Sequence, residues 1–96
     1  MKMVMMIYNE AIDEEVLDSL QSCCIEHFTK WQRVLGKGQV SEPHLDTNVW
    51  PGANNVCIAV VDDKKVPPIL SKIKELRQNL GKEGIKAFVL PVEEII

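Results

Sequence analysis

A chain of 96 residues has room for one domain, residues 1–96, with a single modest core and no large enclosed cavity. Its 46% apolar and 26% charged residues exclude a disordered chain, and a net charge of −3 excludes the basic stripe of a dedicated nucleic-acid binder. No run reaches the roughly 18 apolar residues of a membrane span, and three cysteines, two of them adjacent, do not make a disulfide framework.

The opening "MKMVMMIYNEAIDEE" carries one lysine and a short apolar run, then acids where a cleavage site would stand. It reads as a first strand over residues 3–8 and not as a signal peptide, which places the chain in the cytoplasm. Ile12, Val16, Leu17, Leu20, Cys23 and Cys24 then recur at the helical period, and Asp13, Glu14 and Glu15 suit the positive end of a helix dipole. "EHFTKWQRVL", residues 26–35, is rich in β-branched and aromatic side chains and predicts a second strand. Residues 36–55, "GKGQVSEPHLDTNVWPGANN", hold three glycines, two prolines and three asparagines, which forbid regular structure over most of the segment. A loop of that length in a compact domain is usually functional or disordered.

"VCIAVV", residues 56–61, is a continuous apolar run that fits a central strand buried on both faces. After "DDKK", Pro67 and Pro68 are tolerable only in the first turn of a helix. Ile69, Leu70, Ile73, Leu76 and Leu80 give that helix one apolar stripe, and Gly81 is placed to cap it. Residues 86–91, "KAFVLP", form the last strand. Two strand–helix–strand halves in this order predict an α+β, ferredoxin-like βαββαβ sandwich, an antiparallel sheet with both helices on one face. The other face would be left open and apolar, which predicts a homo-oligomer.

Three groups of residues invite a chemical reading. In "GKEGIK", residues 81–86, glycines let backbone amides approach an anion and the lysines add charge. The same turn also suits a plain helix end with solvated lysines. Glu42, His44 and Asp46 alternate, so an extended loop would turn all three to one side as a divalent-metal site; a solvated loop explains them more simply. Trp50 reads as an anchor beneath that loop. Cys23, Cys24 and His27 lie within about one helical turn, a soft-metal spacing, although one cysteine continues the apolar stripe and His27 falls beyond the helix end. Cys57 reads as core. No nucleophile–base pair, carboxylate dyad or P-loop is visible, which points away from an enzyme.

The ending "KAFVLPVEEII" resembles the closing strand of the PII signal-transduction proteins of the nitrogen regulatory superfamily. The element order is similar over essentially the whole chain. "LGKGQV", residues 35–40, resembles the root of the PII effector loop, and the opening strand followed by an acidic helix resembles the PII start. The chain is thereby identified as a divergent member: its "LGKEGIKAF" turn is shorter than the family's, Ile85 stands where a glycine is usual, and its loop lacks a tyrosine.

The resemblance implies a homotrimer that binds an adenine nucleotide effector (ATP, ADP or AMP, with Mg) between subunits. It also implies that residues 36–54 control a partner protein, a transporter or an enzyme. Carried over residue by residue, it assigns Gly81, Lys82, Gly84 and Lys86 to the phosphates. Lys37, Gly38 and Gln39 fall at the loop root, with Gln39 toward the nucleotide's metal and co-effector. The alternatives are a CutA-like metal-binding trimer using Glu42, His44 and Asp46, and a structural oligomer that binds nothing.

Overall fold

The structure is a computed structural model that describes residues 1–36, 53–80 and 84–96. Strand β1 spans Lys2–Asn9, helix α1 Asp13–Ser22, β2 Thr29–Val34, β3 Asn54–Val61, helix α2 Val66–Asn79 and β4 Ile85–Pro91. The sheet order is β2-β3-β1-β4 with every neighbour antiparallel, and both helices lie on one face. This is the ferredoxin-like sandwich predicted from the element order.

Alternation along the strands creates the two faces. Val4, Met6 and Tyr8 of β1, with Cys57, Ala59 and Val61 of β3, point under the helices and are buried. Val16 and Leu20 of α1, and Ile69 and Ile73 of α2, close the core from above. β3 is therefore buried on the helix side, while its Val56, Ile58 and Val60 stand on the open side and are less covered.

Several local devices set the ends. Asn9 accepts a hydrogen bond from the Ala11 amide at 2.9 Å and starts a 3-10 turn, Glu10–Ile12, before α1. α1 ends in a Schellman motif: Cys24 N–H donates to the Gln21 carbonyl and Ile25 N–H to the Leu20 carbonyl, each at 2.9 Å. Cys24 takes the left-handed position of that motif, φ 61°, where glycine is usual. It leaves the apolar stripe and is exposed, whereas Cys23 stays buried. This tight turn delays β2 to Thr29, three residues after the start that composition suggested. Pro67 and Pro68 do occupy the first turn of α2. Among the described residues no helix is long and apolar enough to cross a membrane.

Candidate functional site

The antiparallel order gathers four chain ends at one edge of the sheet. Val34 of β2 pairs with Asn54 of β3, Asn54 with Asn9 of β1, and Tyr8 of β1 with Ile85 of β4. Two backbone bonds tie the corners: Asn9 N–H to the Gly84 carbonyl at 3.1 Å, and Glu10 N–H to the Ala53 carbonyl at 3.0 Å. Gly36 and Gly84, the described ends of the two glycine-lysine segments, therefore emerge at the same end of the sheet from its outer strands. Four strands at the usual spacing put those outer strands about 14 Å apart.

The two glycines differ. A Cβ at Gly36 would sit 3.3 Å from the Asn54 side-chain amide nitrogen, so the chain leaves β2 close against β3. A Cβ at Gly84 would meet nothing within 4 Å, and no positive φ demands glycine there. Lys86 is exposed and stands opposite Ile7 on the open face, in a row that continues through Val56 to Trp31. Below it lie Phe88, Met5, Ile58 and Thr29, then Leu90, Met3 and Val60. One lysine thus caps the site end of an otherwise mainly apolar surface on which Trp31, Phe88 and Leu90 are all more than 40% exposed.

On the helix side of the same end, a polar network sits where the sequence offered no motif. Asp13, in the first turn of α1, accepts from Tyr8 Oη at 2.7 Å and Asn55 Nδ2 at 3.1 Å through Oδ1, and from Lys30 Nζ at 2.9 Å through Oδ2. Burial opposes the charge on Asp13, but the bonds from Tyr8, Lys30 and Asn55 and the Lys30 ammonium outweigh it and hold the carboxyl below its ordinary range. Burial first, then the bond to Asp13 and its charge, push the Tyr8 phenol far above its ordinary value. Burial, then the Asp13 charge, push the Cys57 thiol up to about 11.

Asn55 is 3% exposed and turns its other end to the backbone: its Oδ1 accepts from Arg33 N–H at 3.1 Å. Arg33 has φ 58°, the left-handed region, within a bulge between Trp31 and Val34 that puts one extra residue in β2. For a side chain such as arginine that conformation costs about 1–2 kcal/mol. Its guanidinium reaches both carboxylate oxygens of Glu10, at 3.2 and 3.3 Å. Glu10, Asp13, Gln32, Arg33 and Asn55 line an open cleft of about 320 Å³.

Of the residues assigned from the sequence, Gly84 and Lys86 stand at this end of the sheet. Lys37, Gly38, Gln39, Gly81 and Lys82 lie outside the described residues, as do Glu42, His44, Asp46 and Trp50. The Cys23, Cys24 and His27 group is split between a buried thiol, an exposed thiol and an exposed imidazole. Among the described residues no three His, Cys, Asp or Glu side chains are grouped to hold a metal ion. His27 instead lines, with Phe28, Thr29, Ile58, Ala59 and Val60, a shallow cleft of about 260 Å³ at the opposite end of β2.

Comparison with known proteins places this geometry. The family model of Nitrogen regulatory protein P-II matches residues 1–96. Among solved structures, the chain is similar to CPII, a nitrogen regulatory PII-like protein from Thiomonas intermedia K12, bound to ADP, AMP and bicarbonate. The TM-score is 0.70 at 20% identity, covering 99% of this chain and 94% of that one. CPII bound to ADP and bicarbonate gives 0.69 at 22% identity, covering 97% and 88%. A PII-like signaling protein from Thermus thermophilus gives 0.67 at 17% identity, covering 92% and 82%. No curated protein sequence matches the chain.

Proposed function

We propose that this chain, which belongs to the nitrogen regulatory protein P-II family, is a cytoplasmic, non-catalytic regulator that binds an adenine nucleotide between the subunits of a homotrimer. The observation that carries this reading is the placement of Gly36, Gly84 and Lys86 at one end of the sheet, with Lys86 at the rim of an exposed apolar face. An anion held there meets an ammonium and a glycine whose missing Cβ leaves backbone accessible. The apolar open face that carries Trp31 and Phe88 suits burial against further copies, which would place the nucleotide at a subunit border. That proteins of this fold have been seen with ADP and AMP supports the choice of ligand.

In this reading Gly81, Lys82, Gly84 and Lys86 take the phosphates, with Lys37, Gly38 and Gln39 completing the site. Residues 36–54 pass the bound state to a partner protein. Nucleotide binding then acts by differential affinity for two loop states.

The test is calorimetric titration of the chain with ATP and Mg, and with ADP. Saturable binding near one site per subunit is expected, weakened at least tenfold in Lys86→Ala and in Gln39→Ala. Unchanged affinity in both variants would refute the site. Copper or zinc binding lost in His44→Ala, with no nucleotide bound, would favour a metal-binding trimer instead.

A further inference from the structure

We propose that Asn55 and Asp13 are positioning residues for that nucleotide site, acting through the backbone of Arg33. The inference rests on the nucleotide reading and names a determinant of affinity outside the glycine-lysine segments. Asn55 is the buried polar side chain among the described residues, at 3% exposure, and both ends of its amide are committed. Its Oδ1 takes the Arg33 N–H and its Nδ2 is held by Asp13 Oδ1. Asp13 is in turn fixed by Tyr8 and Lys30. An amide serves here because it supplies a donor and an acceptor at once. The chain of bonds runs from the first turn of α1, across β3, to one backbone N–H in β2.

That N–H belongs to the residue with the unfavourable φ. The bulge at Arg33 sets two β2 residues, Gln32 and Arg33, against the single β3 residue Asn55 before the ladder closes at Val34 and Asn54. Released from Asn55, Arg33 would relax to extended backbone and the bulge would collapse. A one-residue slip exchanges the two faces of a strand, so Val34 and the exposed Leu35 would trade sides just before Gly36. The face from which the chain leaves the sheet would invert. The Arg33 guanidinium is engaged by Glu10 and is not part of the proposed nucleotide contacts; what matters at this position is the sign of φ.

Arg33→Gly and Arg33→Val separate these two properties. Both lose the guanidinium, but glycine accepts a left-handed φ freely and a β-branched side chain resists it. Titrated with ATP and Mg, Arg33→Gly is expected within threefold of wild type and Arg33→Val at least tenfold weaker. Asn55→Ala is expected to weaken binding at least tenfold, and Asn55→Ala with Arg33→Gly to recover to within threefold. A role for Asn55 that lay only in its bond to Asp13 would not be rescued by glycine at position 33, on the neighbouring strand. Equal affinities for Arg33→Gly and Arg33→Val overturn the proposal, and this pair decides it even if Asn55→Ala fails to fold. If wild type binds neither ATP nor ADP, the nucleotide reading falls and the proposal with it. If wild type binds but the Arg33 pair does not separate, the reading stands and only the positioning role is lost.

Discussion

Replacing Asp13 by alanine removes the acceptor shared by three donors and should be among the most damaging single changes in the chain. The Tyr8 hydroxyl belongs to a residue 1% exposed and the Asn55 amide to one 3% exposed, so neither can turn to water without opening the core. Each stranded donor costs about 1–3 kcal/mol. The Lys30 ammonium, on a side chain 19% exposed, can swing outward and adds less. The expected loss is therefore roughly 2–6 kcal/mol, a large share of the roughly 5–15 kcal/mol that holds a domain together. Asp13→Asn keeps one acceptor oxygen and should lose less, about 1–2 kcal/mol.

Urea unfolding at one fixed protein concentration measures both variants, since self-association would otherwise shift the midpoint. The pH dependence supplies an independent check. A carboxyl whose folded pKa is depressed contributes stability that is fully present above its unfolded value, about 3.9, and is lost as pH falls through the lower folded one. Wild type should therefore lose stability faster than Asp13→Asn below about pH 4. A cost under about 1 kcal/mol for Asp13→Ala, or parallel acid curves for wild type and Asp13→Asn, would refute the reasoning.

Three further outcomes are expected. Cys24→Gly should raise the urea midpoint by about 1 kcal/mol of stability, because glycine fits the left-handed helix end without a Cβ penalty; a loss would show that the Cys24 side chain does more than tolerate its place. Met5→Asp puts a charge between Ile58 and Phe88 at the middle of the open face. Sedimentation should then report a single chain where wild type reports an assembly, and an unchanged mass would leave that face out of the interface. Ellman's reagent at pH 8 should find one fast thiol, exposed Cys24, and lose it in Cys24→Ser. Cys57 should stay silent until unfolding because its thiol is fully buried and pushed up to about 11 by burial, then by the Asp13 charge. Two fast thiols would contradict the buried placement of Cys23 and Cys57.

Elements whose burial pattern repeats along the chain were legible from residues alone. The stripe of α2 and the apolar runs of β1, β3 and β4 fall where periodicity puts them, because one-sided burial writes itself into spacing. The start of β2 was not legible, since its boundary is set by a Schellman turn built on cysteine in place of the signalling glycine. Nor was the bulge: nothing in "TKWQRV" marks Arg33 for a positive φ, and the amide that takes its N–H lies 22 residues later. Asn55 read as the tail of an irregular loop and is in fact the second residue of β3 and a buried hub. Asp13 read as a helix-dipole acid, and its partners Lys30 and Asn55 lie 17 and 42 residues away. Pairings at such separations carry no local pattern. Gly84 and Lys86, by contrast, were singled out only through a family likeness, and the fold puts them at the sheet end that Gly36 shares.

The pairing of Val34 with Asn54 has a consequence for how this chain can change over generations. Whatever the intervening segment does, its two ends are stapled to adjacent strands by the sheet itself. Closing a chain segment between fixed ends grows costlier only with the logarithm of its length, about 0.6 kcal/mol per doubling. Residues could be gained or lost between those anchors with little penalty to folding, and the sheet end with its Asp13 and Asn55 network would remain as it is. The sheet end therefore fixes where the segment begins and ends, and leaves its length and sequence free to vary.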